Sequence, residues 1–155
     1  MKKFKKNLQS FIAFVFTVIL LFLILLGCKE IALGHVLTNL NLSNPIFDLD
    51  YALNEGAAFG LLQQQSAFLC GVAAFILCLI SCYVWTRYKK ITKTERFALA
   101  MVCAGIISNT LERLKAGAVI DYINLNFISF PIFNLADVFI CVGVVILVFI
   151  LFFKR

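Results

Sequence analysis

Two aspartates, Asp121 and Asp137, are the side chains in this sequence best suited to acid–base chemistry. They stand sixteen positions apart in a chain whose long apolar segments are almost free of acid. Asp121 lies in an alternating run, 119–127, that is typical of a β-strand and gives it apolar neighbours on one face. Burial raises the pKa of a carboxylic acid because the charged form loses its hydration, so we expect a protonated Asp121. A turn in that run would instead leave Asp121 solvated.

Asp137 follows Asn134 by three residues at the head of an apolar run. Asn is a common helix N-cap, and the first turn of a helix stabilises negative charge through its free N–H groups and its dipole. This favours an ionised Asp137, although a purely structural cap has the same spacing. If the two carboxylates meet, Asp137 as base and Asp121 as acid could activate water and polarise a peptide carbonyl. The pair would titrate together, and the two roles could exchange during turnover.

The composition indicates an integral membrane protein that holds these residues on helices. Of the 155 residues, 63% are hydrophobic and 14% are charged, well below the roughly 25% charged residues of a soluble domain. A helix needs about 20 apolar residues to cross a bilayer. We predict one membrane-embedded domain, 1–155, with approximate spans at 8–28, 66–85, 96–113 and 134–153 and extracytoplasmic loops at 29–65 and 114–133.

The charge pattern predicts the orientation of these spans. The net charge of +6 comes from Lys and Arg clusters at residues 2–6, at 87–96 and at the end of the chain. Because such clusters remain in the cytoplasm, we expect both termini there and the two aspartates at the outer face. The clusters are topology signals, so we expect no nucleic-acid partner.

The sequence lacks the residues and motifs that other hydrolytic mechanisms require. His35 is the only histidine, and five of the six cysteines lie within apolar runs, so we expect no metal site and no disulfide framework. Zinc-protease and serine-hydrolase motifs are absent, and a dyad of Ser108 with Lys115 has no motif behind it. Residues 25–28, LLGC, are similar to the lipobox of bacterial lipoproteins. Processing of this chain at Cys28 is therefore an alternative, which the long apolar run and the membrane-embedded remainder make less favourable.

Four blocks in order along the chain resemble the bacterial lipoprotein signal peptidase (signal peptidase II) family: NEGAAF at 54–59, NTLER at 109–113, VID at 119–121 and FNLAD at 133–137. The resemblance implies an all-α integral membrane protein with four transmembrane helices and a small extracytoplasmic β-rich cradle, which we place in residues 35–65. It implies an aspartic endopeptidase, without metal or cofactor, that cuts prolipoproteins just before a diacylglyceryl-modified cysteine. Asp121 and Asp137 would be its catalytic pair. The implied substrate-binding residues are Asn54, Gly56, Ala58, Asn109, Arg113, Asn134 and Ala136.

Three positions depart from the family pattern. Leu25 stands where an Asp is usual four residues before Lys29, Ser108 replaces a Gly, and Glu112 replaces an Asp. We still expect an active enzyme of the bacterial cytoplasmic (inner) membrane, monomeric, with lipidated prolipoproteins and membrane lipids as partners. Two alternatives remain: an inactive membrane binding or scaffold protein of the same fold, and a small transporter, which would need its carboxylates near the bilayer centre.

Overall fold

The computed structural model describes residues 2–38, 45–57, 61–87 and 89–153, without the side chains of residues 2–6. These residues form α1 (Lys2–Leu37), β1 (Phe47–Asn54), α2 (Ser66–Arg87), α3 (Lys93–Ala116), β2 (Val119–Leu125) and α4 (Leu135–Phe153). Within the described ranges, all four helices contain a stretch that is long and apolar enough to cross a membrane. The predicted class, a four-span helical protein with a small sheet, is confirmed.

Helix α1 is longer than the sequence predicted. It has 36 residues, which corresponds to about 54 Å at 1.5 Å per residue and exceeds the roughly 30 Å of a bilayer's hydrocarbon core. Residues 29–37, predicted as the start of a loop, continue this helix. Good helix formers such as Glu30, Ala32 and Leu33 follow the apolar run, and polarity alone does not end a helix.

Helix α3 is the centre of the bundle and packs against the other three helices. Its residues 98–105 are all buried. A methyl group on Gly105 would lie 2.5 Å from the Ala136 carbonyl oxygen, and one on Gly143 would lie 2.8 Å from the Ala98 carbonyl oxygen. Small residues let membrane helices approach this closely. Gly105 therefore lets the start of α4 approach the middle of α3, and Gly143 lets the middle of α4 approach the first half of α3.

The outer face of α4 exposes large apolar side chains. Val145 is 66% exposed, Phe149 61% and Phe152 77%. Together with the apolar stretches of the other helices, this surface is stable when it faces lipid rather than water.

The strands form a two-stranded antiparallel sheet within the described residues. Asn54 lies opposite Val119 and Ala52 opposite Asp121, after an irregularity in the register. Strand β1 thus falls inside the cradle region predicted at 35–65, although residues 39–44 and 58–60 of that region are outside the description. Its partner β2 comes from the alternating run that predicted a strand.

The chain returns from β2 to α4 along the same sheet. The Phe133 carbonyl accepts hydrogen bonds from the backbone N–H groups of Tyr122, at 3.0 Å, and Ile123, at 2.8 Å. The Phe133 N–H donates to the Ile123 carbonyl at 3.1 Å. These bonds fix the residue just before Asn134 to β2, and so bring the start of α4 to the sheet.

Candidate active site

Asp121 lies at the buried start of β2, where it is 2% exposed. Its Oδ1 accepts a hydrogen bond from Asn134 Nδ2 at 2.7 Å, and its Oδ2 accepts one from Asn54 Nδ2 at 3.0 Å. Asp121 is therefore buried and hydrogen-bonded rather than solvated.

The surroundings of Asp121 contain groups that raise its pKa and groups that lower it. Burial raises its pKa above the ordinary value, and the negative charge of Asp137 acts the same way. The amide donors Asn54 and Asn134, together with the positive charge of Arg113, lower the pKa. Burial is the largest of these effects, so the net pKa is raised and a proton on Asp121 is favoured.

Asp137 is the third residue of α4 and forms a reciprocal cap with Asn134. The Asp137 backbone N–H donates to Asn134 Oδ1 at 3.1 Å, and the Asn134 backbone N–H donates to Asp137 Oδ2 at 3.1 Å. This is the geometry of a capping box. The other carboxylate oxygen, Oδ1, accepts from Asn109 Nδ2 at 2.7 Å. The structural cap suggested by the sequence is present, and it also fixes the direction of the Asp137 carboxylate.

Asn134 connects the two carboxylates. It is 3% exposed and contacts both Asp121 and Asp137 directly. Its Nδ2 also donates to Asn109 Oδ1 at 3.3 Å. Three asparagines from three parts of the chain therefore bring both acids to one place and orient them.

Both carboxylates border a cavity of about 600 Å³. Ala52, Leu53 and Asn54 of β1 line it, as do residues 130–133 and α4 residues including Val138 and Val142. Its walls are largely apolar, with the two acids as converging polar groups, as is typical of a ligand site.

Arg113 braces the loop after β1. Its Nη2 donates to the Gly56 carbonyl at 2.7 Å, and the Gly56 N–H donates to Asn54 Oδ1 at 3.0 Å. A methyl group on Gly56 would lie 2.5 Å from the Leu61 carbonyl oxygen, so this turn has no space for a side chain. Arg113 and Gly56 thus support Asn54, and their predicted contact with substrate stays a prediction.

Of the two remaining predicted site residues, the structure describes only one. Ala136 is 4% exposed, and its carbonyl oxygen faces Gly105 of α3. Its role in substrate binding stays a prediction. Ala58 lies outside the described residues.

Sequence reasoning missed two supports of the site. The buried Tyr122 hydroxyl accepts a hydrogen bond from the Leu135 backbone N–H at 3.3 Å, which joins β2 to the first turn of α4. Glu112 Oε2 accepts from the Ile120 backbone N–H at 3.0 Å and pairs with Lys29 Nζ at 2.5 Å. Lys29 could have pointed to the contact of Glu112. It is the only Lys or Arg between residues 7 and 86, and a cation in an apolar helix needs a partner.

In the part of the chain that the structure describes, no three His, Cys, Asp or Glu side chains are grouped so that they could hold a metal ion.

Comparison with known proteins covers nearly the whole chain. A family model described as signal peptidase (SPase) II matches residues 17–153. A lipoprotein signal peptidase of Clostridioides difficile is 34% identical over 143 residues, which are 88% of this chain and 95% of the relative. One from Fusobacterium nucleatum is 37% identical over 144 residues, 88% of this chain and 87% of the relative. A solved bacterial membrane enzyme shares the fold with a TM-score of 0.75 and 22% identity, covering 90% of this chain and 87% of that one.

Proposed function

We propose that this chain, which belongs to the signal peptidase II family, removes the signal peptides of prolipoproteins by an aspartic mechanism. Membership in the family makes it a membrane protease that processes lipoproteins. To this we add the bond that is cut, just before the diacylglyceryl-modified cysteine, and the catalytic pair Asp121 and Asp137. The observation that carries the assignment is that Asn134 contacts both carboxylates, which lie at the wall of one cavity.

In this mechanism Asp121 begins protonated and Asp137 ionised. Asp137 takes a proton from water as the water oxygen attacks the scissile carbonyl carbon, and Asp121 gives its proton to the carbonyl oxygen. When the C–N bond breaks, the leaving nitrogen takes the proton from Asp137. Asp121 recovers its proton from the tetrahedral intermediate, so both groups return to their starting states without a covalent enzyme intermediate.

The raised pKa of Asp121, caused first by burial, fits the role of the acid. The position of Asp137 in the first turn of α4 supports its role as the base, because free N–H groups and the helix dipole stabilise a carboxylate there. The asparagine amides hold both carboxylates in place, so little reorganisation is needed when charge moves between them.

The cavity suits an extended, lipidated peptide. Residues 52–54 of β1 line it, and a sheet edge can bind an extended substrate as an added strand. The apolar walls formed by Phe130, Val138 and Val142 suit a lipid-modified residue. We therefore place the cleaved backbone along β1 and the diacylglyceryl group toward α4 and the lipid.

We further propose that the enzyme is a monomer of the bacterial cytoplasmic (inner) membrane, with both termini in the cytoplasm and the site at the outer face. The basic residues 87–93 lie where α2 ends and α3 begins, whereas Asn109 and Arg113 lie 16 to 20 residues farther along α3. At 1.5 Å per residue this separates them by about 24–30 Å, the thickness of the hydrocarbon core. Positive charge on the cytoplasmic side then leaves the aspartates outside.

Cleavage of a diacylglyceryl-modified prolipoprotein by the purified protein in detergent tests the proposal. We expect wild type to cut before the lipidated cysteine with chelator present, and Asp121→Asn and Asp137→Asn to lose activity by at least about 1,000-fold while remaining folded. Asp48→Asn, an exposed change on β1, is the matched control and should retain activity.

Three results would contradict the proposal. Cleavage by either catalytic variant at near the wild-type rate excludes the pair, and loss of wild-type activity in chelator excludes a metal-free mechanism. Wild type that binds the substrate without cutting it favours the scaffold alternative.

A further inference from the structure

Glu112 joins three elements of the fold behind the two aspartates. It belongs to α3, its Oε2 pairs with Lys29 Nζ of α1 at 2.5 Å, and the same oxygen accepts the Ile120 N–H of β2 at 3.0 Å. We propose that Glu112 is a positioning residue for the reaction, which holds the β2 backbone immediately before Asp121. This inference rests on the proposed function.

The Ile120 contact acts on Asp121 through one peptide unit. Ile120 directly precedes Asp121, so the Glu112 carboxylate fixes the strand at the residue next to the acid. On the opposite strand, Asn54 contacts the Asp121 carboxylate itself. Asn54 of β1 and Asn134 thus hold the Asp121 side chain, and Glu112 of α3 holds the backbone next to it.

Lys29 holds the Glu112 carboxylate in place through their ion pair. The Lys29 side chain is 13% exposed and the Glu112 side chain 19%. Removing one partner of an ion pair that is shielded from water destabilises a protein more than removing one partner of a surface pair. One turn before Lys29, the family's acid is replaced by Leu25, which is 2% exposed and offers no charge. Within the described residues, Glu112 is the one acid paired with Lys29.

The Lys29 and Glu112 pair acts without touching the substrate. It borders a separate small space together with Leu25, Ser108, Tyr122, Asn134 and Ala136. None of these residues lines the cavity that holds the two carboxylates. Loss of Glu112 should therefore lower kcat through the position of Asp121 and leave KM nearly unchanged, since a small misplacement of a reacting group can cost about 100-fold.

Three variants of the full-length enzyme in detergent separate the contacts of Glu112. Glu112→Ala removes both contacts, and we expect kcat to fall about 10- to 100-fold with KM changed less than about threefold. Glu112→Gln keeps an oxygen for the Ile120 N–H and loses the ion pair, so its kcat should fall less. Lys29→Met combined with Glu112→Gln should be no worse than Glu112→Gln alone, because the two side chains act as one unit.

A pH profile distinguishes positioning from a merely structural role. If β2 shifts, the amide bonds that lower the pKa of Asp121 weaken, and the alkaline limb of kcat should move to higher pH in Glu112→Ala. The limb should stay unchanged in Glu30→Gln, an exposed change one residue after Lys29.

The inference is overturned by unchanged kcat in Glu112→Ala, by a rise in KM alone, or by an activity loss that matches the loss of folded protein without a change in the pH profile. Failure of the proposed function looks different. In that case wild type does not cut, or Asp137→Asn cuts normally, regardless of how the Glu112 variants behave.

Discussion

Replacement of Asn134 by Ser tests how the two carboxylates are held. Asn134 donates to Asp121 Oδ1 at 2.7 Å through Nδ2 and accepts the Asp137 N–H at 3.1 Å through Oδ1. A serine hydroxyl can still accept that N–H, as N-cap serines do, but it is too short to reach Asp121. Asn134→Ser therefore removes the contact with Asp121, together with the longer bond to Asn109 Oδ1 at 3.3 Å, and leaves the start of α4 capped.

The expected size of the effect follows from the bond that is lost. A hydrogen bond to a charged group contributes about 1.5–3 kcal/mol. In the proposed mechanism Asp121 becomes charged when it gives up its proton, so the bond from Asn134 is strongest at that stage. At about 1.4 kcal/mol for each factor of ten, kcat should fall about 10- to 100-fold.

The same change has a defined effect on the pH dependence. The bond from Asn134 lowers the pKa of Asp121, so its loss raises that pKa. The reaction needs a protonated Asp121 and is lost as the pH rises through its pKa. The alkaline limb of the kcat profile should consequently move to higher pH.

The assay is the rate of prolipoprotein cleavage as a function of pH, measured with purified wild type, Asn134→Ser and Asn134→Ala. Alanine also removes the cap and should lower stability by about 1 kcal/mol relative to serine, while the shift of the alkaline limb should be the same in both variants. Asn124→Ser, the same exchange farther along β2, is the control. A wild-type kcat and an unshifted alkaline limb in Asn134→Ser would refute the role given to Asn134.

Two further changes test the supports of the site. Gly105→Ala places a methyl group 2.5 Å from a backbone oxygen of α4, so it should separate α3 from α4, cost about 1–3 kcal/mol and lower cleavage at least tenfold. Gly71→Ala on α2, where a methyl group meets nothing within 4 Å, should leave activity unchanged and should not lower thermal stability, because Ala favours a helix more than Gly does. Arg113→Met keeps the aliphatic stem but loses the bond to the Gly56 carbonyl, and we expect about tenfold lower kcat/KM in steady-state assays. The exposed Lys115→Met should behave as wild type, and equal effects at the two positions would show that charge rather than the Gly56 contact matters.

The local placement of the two acids was readable from the sequence because it depends on short-range patterns. Alternation placed Asp121 on a strand among apolar residues, and the spacing of Asn134 and Asp137 marked the first turn of a helix. Both features are set by backbone periodicity and capping, which act over a few residues. The four apolar helices could also be predicted, because the length of an apolar run is a local property of the sequence.

The contacts that join distant parts of the chain were not readable in this way. The bond from Asn54 to Asp121 spans 67 positions and depends on the register of β1 with β2, which includes an irregularity. The family resemblance implied that Arg113 binds substrate, which stays a prediction, and its bond to the Gly56 carbonyl was not foreseen. The end of α1 also differs from the prediction, because the polar residues after the apolar run continue the helix to Leu37.

The unbroken course of α1 bears on how this protease treats its own chain. Residues 25–28 are similar to the lipobox at which lipoproteins are processed, yet they lie in the middle of a continuous helix, and Leu25 is 2% exposed. A helical backbone keeps its N–H and carbonyl groups paired within the helix, whereas recognition along a strand requires an extended peptide with those groups free. Self-cleavage would require several turns of α1 to unwind inside the bundle. We therefore expect residues 25–28 of this chain to escape cleavage.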